Sequence, residues 1–248
     1  MTKPFLANSE SYKNVSLGLP LTAANNDDSW QPPSGEFAFD LEQVGDDGFL
    51  LAIWFNKIPE KTIVWPANRN SLIQRGTKVK LMEDGRLVLN DRKGKQIWCA
   101  DIARSRVAYA AMLDTENFVL ARHYLVNLWE SFGEPTDTLF PTQIFNRGSK
   151  LVAGYSRINR STGRFRFTPQ ADGNLMLYTL AFSLDFDNSA YWSGQTKGNG
   201  FQLIFNQPGN IYLAAKNGSI LKMFSSESPT TQECYHIAIL EYNGAFRH

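Results

Sequence analysis

The chain has 248 residues, 43% hydrophobic and 20% charged, with a formal net charge of +1. That length supports a sizeable core and one or two domains, and no basic tract or acidic tail points to nucleic acid. Aromatic content is 13%, spread over short β-branched and aromatic runs, so the chain reads as all-β.

No run of about eighteen apolar residues exists, so no segment reads as a membrane-spanning helix. The start, Met1-Thr2-Lys3-Pro4-Phe5, lacks the apolar stretch of a signal peptide. Cys99 and Cys234 do not make a disulfide framework and read as free, mostly buried thiols. His123, His236 and His248 show no metal-ligand spacing, so neither a metal nor a cofactor is expected.

Residues 12–33 read as polar loop, with Asn25-Asn26-Asp27-Asp28 and Pro32-Pro33. Residues 35–41 alternate apolar and polar, as a strand does. Gly45-Asp46-Asp47-Gly48 is a turn, residues 49–55 a nearly continuous apolar strand, and residues 62–65 another short one. No convincing amphipathic helix is found. Asp84-Gly85-Arg86-Leu87-Val88-Leu89 leads to Trp98, and residues 111–120 lead to Trp129. Trp65, Trp98 and Trp129 recur about every thirty residues, a spacing of repeated supersecondary units. Three such units predict a pseudo-threefold β-prism with an aromatic centre. Residues 130–150 are a Pro-punctuated connector. The repeat resumes with 163–167 and 170–178, closes at Tyr191-Trp192, continues through 206–213 and 217–224, and starts once more at 237–247. A strand and turn cut at His248 read as a fragment or a truncated gene product.

The stretch Gln170-Ala171-Asp172-Gly173-Asn174-Leu175-Met176-Leu177-Tyr178 has two readings. As one strand, its period of two puts Gln170, Asp172, Asn174, Met176 and Tyr178 on one face. That face offers a carboxylate, two amides, an apolar patch and a phenol, the set a sugar requires. Alternatively, Asp172-Gly173-Asn174 is a hairpin turn and 175–178 the return strand, and the turn interrupts the shared face. Arg164 and Arg166, which straddle Phe165 beside it, read as a solvated strand face.

Residues 128–139, Leu-Trp-Glu-Ser-Phe-Gly-Glu-Pro-Thr-Asp-Thr-Leu, resemble a signature of S-domain receptor-like kinases. Residues 34–39, 51–55, 63–68 and 112–120 fit the same family. The Asp-Gly-x-Leu-Val-Leu…Trp units resemble plant bulb-type (G-type, mannose-binding) lectin domains. The resemblance runs over about residues 12–248. It implies the ectodomain of a plant G-type lectin S-receptor-like serine/threonine kinase, built as tandem β-prism II domains. Residues 12–130 form the first domain, 131–150 a connector and 151–248 a second, truncated domain. It also implies an extracellular or cell-surface location, with a mannose-type glycan or another extracellular ligand as partner. A homodimer or co-receptor complex stays open. The chain itself holds no Gly-rich loop with a strand lysine, no His-Arg-Asp and no Asp-Phe-Gly, so kinase activity does not reside in it. No carboxylate pair suggests a glycosidase.

The family pocket is Gln-x-Asp-x-Asn-x-Val-x-Tyr. In the 82–90 copy Asp84 and Val88 remain, while Arg86 stands at the asparagine position and Asn90 at the tyrosine. In 113–121, Asn117 and Val119 remain. In 206–214, Asn210 remains, with Pro208 at the aspartate position. Only 170–178 keeps every polar member, with Met176 for valine. The other three copies are therefore expected to be degenerate, since loss of the aspartate removes the charge-assisted acceptor. An interaction module that has lost sugar binding and recognises a protein, peptide or lipid is the competing reading. Asn14, Asn159 and Asn217 open N-glycosylation sequons.

Overall fold

The computed structural model describes residues 14–24, 28–46, 48–102, 107–124, 126–181, 186–226 and 234–248. Residues 12–13, 25–27 and 47, which the sequence assigns to the first domain's start, a polar loop and a turn, lie outside the described residues.

Contacts divide the chain into two units, Met1–Ile63 with Ile73–Glu130, and Val64–Leu72 with Ser131–His248. The strands up to Glu130 are β1 (Val15–Ser16), β2 (Pro20–Thr22), β3 (Phe37–Val44), β4 (Gly48–Phe55), β5 (Ile63–Pro66), β6 (Lys78–Leu81), β7 (Leu87–Asn90), β8 (Gln96–Cys99), β9 (Tyr109–Met112), β10 (Phe118–Arg122) and β11 (Val126–Glu130). Beyond it lie β12 (Thr138–Leu139), β13 (Ile144–Asn146), β14 (Leu151–Gly154), β15 (Thr162–Pro169), β16 (Leu175–Ala181), β17 (Phe186–Ser193), β18 (Gln202–Phe205), β19 (Ile211–Ala214), β20 (Ile220–Ser225), β21 (Ala238–Leu240) and β22 (Phe246–Arg247). Among the described residues the sole helical piece is a 3-10 turn, Ser131–Gly133. The loop expected over 12–33 holds β1 and β2, two short strands that pair with β9 and β6. Their brevity and their long-range partners leave no local pattern.

Both units use one nested antiparallel scheme. In the first, β3 pairs with β4, β2 joins β6-β7-β8, and β1 joins β9-β10-β11. In the second, β14 joins β15-β16-β17, β13 joins β18-β19-β20, and β12 joins β21-β22. Three opening strands are thus laid down, and their sheets are completed in reverse order. The all-β, repeated three-sheet architecture expected from the sequence is what the chain forms.

The inner faces meet in aromatic centres. In the first unit Phe39 of β3 stacks on Phe118 of β10 with ring centroids 3.9 Å apart, and Trp98 meets Trp129 edge-on at 5.9 Å. In the second, Phe167 of β15 contacts Phe145 of β13 at 5.7 Å and Phe246 of β22 at 4.8 Å, one ring from each sheet. Buried Leu151, Leu175, Leu203, Leu213 and Leu240 fill the space around them. Burial of each such side chain is worth about 1.5–3 kcal/mol.

Trp65 belongs to the second unit, where its indole N–H donates to the Glu134 carbonyl at 2.8 Å. Arg69 follows it there and donates to the carbonyls of Arg160, Val152 and Ala153 at 2.8, 2.9 and 3.0 Å. Two expectations fail. Cys99 is half-buried but Cys234 is exposed, both as free thiols. Arg164 is solvated but Arg166 is 3% exposed and bonds Asp187 of β17 at 2.8 Å.

A candidate sugar site on the sixteenth strand

The 170–178 stretch is a turn followed by a strand. The Gly173 N–H donates to the Gln170 carbonyl at 2.9 Å, the Gln170 N–H donates to the Asn174 carbonyl at 2.8 Å, and β16 begins at Leu175. The turn reading is therefore the one realised, and the single-strand arrangement is not. Gly173 takes the left-handed backbone the turn needs, at φ +84°. The Asp172 carboxylate accepts the Asn174 N–H at 3.0 Å and closes the turn.

The polar residues nevertheless come together. Asn174, Met176 and Tyr178 are half-buried and alternate with buried Leu175 and Leu177, so they share the outer face of β16. The turn returns Gln170 to the same face, where its amide donates to the Tyr178 hydroxyl at 2.6 Å. Asp172 is exposed at the tip. Its second carboxylate oxygen has no protein partner among the described residues, and the Tyr178 hydroxyl keeps its own proton to donate. A sugar diol requires an acceptor and a donor of this kind.

Asn174 is held tightly. Its amide donates to the Met176 sulfur and the Ser193 hydroxyl, each at 3.0 Å, and its side-chain oxygen accepts the Thr196 N–H at 3.0 Å. Ser193 and Thr196 belong to the candidate site by these bonds, and sequence reasoning missed them. Both lie about twenty positions away, and only the β16–β17 pairing brings them close. The β15–β16 pairing places Arg166, and with it the Arg166–Asp187 ion pair, beside Tyr178.

The other copies keep the turn but differ in how its polar residues are engaged. In the 82–90 copy Arg86 pairs with Asp84 at 2.9 Å, and its backbone N–H and guanidinium hold that carboxyl below its usual range. The surviving acceptor is thus occupied by the residue at the asparagine position, and Val88 is 5% exposed. In the 113–121 copy Asn117 is buried and donates to Glu130 at 2.8 Å, with Val119 buried beneath. In the 206–214 copy the Asn210 N–H donates to the Asn206 side chain at 2.8 Å, which closes the turn in place of an aspartate. The sequon residues Asn14, Asn159 and Asn217 are all exposed.

Two nested three-sheet units carrying turn-and-strand copies define an all-β architecture of repeated antiparallel sheets, and the chain is similar to bulb-type lectin domains over part of its length. Residues 62–157 match the family described as D-mannose binding lectin. The chain is 38% identical over 94% of its length to the G-type lectin S-receptor-like serine/threonine-protein kinase LECRK2 of Oryza sativa subsp. indica. It is also 38% identical, over 87% of its length, to RLK1 of the same description from Arabidopsis thaliana. It spans 30% and 28% of those relatives. Scilla campanulata agglutinin, described as a two-domain lectin, aligns over 96% of both chains at 15% identity with a TM-score of 0.32, too low to bear on the fold. Among the described residues no helix is long and apolar enough to cross a membrane.

Proposed function

We propose that this chain is the carbohydrate-binding part of a plant receptor-like kinase, with residues 12–130 and 151–248 as its lectin domains and 131–150 as connector. It sits outside the cell, and the longer protein carries a serine/threonine kinase, as the relatives' descriptions imply. The ligand is a mannose-type glycan held at Gln170, Asp172, Asn174, Met176 and Tyr178. The supporting observation is that the turn brings Gln170 onto Tyr178 beneath an exposed, half-free Asp172 carboxylate. A few exposed hydrogen bonds net about 1 kcal/mol each, so a single sugar binds in the millimolar range. Clustering of several sites raises the avidity.

NMR chemical-shift perturbation with mannose and α-mannosides tests the reading. The amides of residues 170–178 should move saturably, and Asp172→Ala should abolish the movement. No movement at saturating sugar would remove mannose as the ligand. A second reading, an interaction module for a protein, peptide or lipid with homodimer or co-receptor contacts, is favoured by Asn174, whose side chain is already engaged by Ser193 and Thr196.

A further inference from the structure

The loop that joins β14 to β15 in the second unit is braced from within. The Tyr155 N–H donates to the Ser161 carbonyl at 2.8 Å and the Ser156 N–H to the Asn159 carbonyl at 3.1 Å. The Ser161 N–H donates to the Asn159 side-chain oxygen at 2.9 Å. Arg69 ties the loop to the strands beside it, since its guanidinium bonds the Arg160 carbonyl as well as those of Val152 and Ala153. On this fixed backbone Ile158 is 86% exposed and Tyr155 53%, with Arg157 and Arg160 to either side of Ile158. A lone exposed apolar residue is ordinary. Here it accompanies a cavity and a surplus of charge.

Arg157 and Arg160 line a polar cavity of about 430 Å³, together with Asp137, Glu241, Tyr242 and Arg247. That volume falls within the usual range of ligand sites, about 300–1,000 Å³. Its charges do not cancel. Arg247 pairs with Glu241 at 3.3 Å. Asp137 is 3% exposed, accepts the Thr138 hydroxyl at 3.0 Å and offsets the charge of Arg69. Arg157 and Arg160 have no carboxylate partner among the described residues. Burial lowers the Arg69 pKa, Asp137 opposes that fall, and Arg160 adds to it, so the guanidiniums of Arg69 and Arg160 repel each other. An anion beside Arg160 relieves that repulsion. Guanidiniums hold carboxylate oxygens in a bidentate fork, and a braced loop loses little freedom on doing so.

We infer that this cavity and the loop above β14 form a docking site for an acidic peptide, whose carboxylate is held by Arg157 and Arg160 while a neighbouring apolar side chain covers Ile158. The exposed Ile158 selects a peptide over an acidic polysaccharide, which has no aliphatic side chain to place there. A membrane surface fits less well, because anionic lipid recognition takes clusters of about four to eight basic residues, and here two are uncompensated. The site shares no residue with 170–178 and stands whether or not that stretch binds sugar. It gives a partner chemistry to the second reading above.

The test uses protein made without N-glycans, because Asn159 opens a sequon within the loop. It is titrated in a ¹H–¹⁵N spectrum with a capped Glu-Leu-Glu-Glu-Leu-Glu peptide and with the same peptide carrying glutamine for glutamate. The acidic peptide should shift the amides of residues 155–160 and 241–247 saturably, in the parent and in Asp172→Ala alike. The glutamine peptide should bind at least about tenfold more weakly, the loss expected when a charge-assisted hydrogen bond is removed. Arg157→Gln combined with Arg160→Gln should weaken the acidic peptide by a similar factor and melt no lower than the parent, which separates a lost contact from a lost fold. Ile158→Ser should weaken it with both arginines in place. The inference is overturned if the acidic peptide moves none of these amides, if the double variant binds it as the parent does, or if tetragalacturonate binds more tightly than the peptide.

Discussion

A Cβ at residue 173 would stand 2.5 Å from the Gly200 carbonyl oxygen, where the backbone has φ +84°. Side chains other than glycine pay roughly 1–2 kcal/mol for that conformation, and the backbone contact adds a clash that no side-chain rotation relieves. Gly173→Ala should therefore cost at least about 2 kcal/mol and displace the turn that carries Asp172. A thermal melt and the Asp172 amide shift would show it, and an unchanged melt would contradict it. Glu116 occupies the matching turn position of the 113–121 copy at φ +66°. There the strain falls on a side chain whose pKa burial, and then Asp114, raise to about 8. Glu116→Gly should stabilise the first unit by about 1 kcal/mol at neutral pH, the opposite sign for a substitution at an equivalent site. The glycines at residues 85, 173 and 209 signal these turns in the sequence. Glu116 gave no such sign, because a non-glycine residue in the left-handed region is set by the tertiary turn.

At the scale of elements, β17 is exposed along its length, yet Asp187 on it anchors the buried Arg166 of β15. The intervening strand is β16, so the ion pair reaches over the strand that carries the candidate site. Asp187 is 38% exposed, which screens the pair and limits its worth to about 1 kcal/mol. Asp187→Asn should lower stability by about that amount and loosen β17. Hydrogen exchange should then quicken in residues 187–193 while β19 is unchanged, and uniform exchange would refute the local role. The sequence showed Arg164-Phe165-Arg166 as an alternating strand, and that strand is real. It could not show that a later edge strand supplies a carboxylate to one arginine and not the other. The same limit applies to the site. Turn and strand were both legible in 170–178, but Ser193 and Thr196 reach Asn174 only through strand pairing. The buried Asp40 was likewise hidden, since Phe37 to Leu41 reads as an ordinary alternating strand.

Across the whole molecule the repeats were legible because each unit obeys the same local grammar of apolar alternation and an Asp-Gly or Asn-Gly turn. The nesting was not, because it depends on which opening strand each later hairpin joins. Charge sets the last expectation. Burial raises the Asp40 pKa from 3.8 to about 6, with Glu42 and Asp28 adding to the rise and the Leu41 backbone N–H and Lys61 opposing it. Glu116 titrates near 8 instead of 4.5. Both folded-state values are raised, so the folded chain holds protons that the unfolded chain has released. Stability therefore falls as the pH rises, from about 4 to 6 for Asp40 and from about 4.5 to 8 for Glu116. His248 acts the other way. Burial and His236 hold it below its ordinary 6.5, so its contribution is lost as the pH falls through that value. It is more exposed than Asp40, so the carboxyls dominate. Tyr191, raised by burial to about 12, destabilises only as the unfolded phenol ionises above about pH 10. The melting temperature should thus be higher at about pH 5 than at about pH 8. Asp40→Asn with Glu116→Gln should flatten that slope and add about 2–4 kcal/mol at neutral pH. Calorimetry across this range decides the matter: a parent that melts higher at the alkaline end, or a double variant with the parent's slope, would mean that neither carboxyl is protonated by burial.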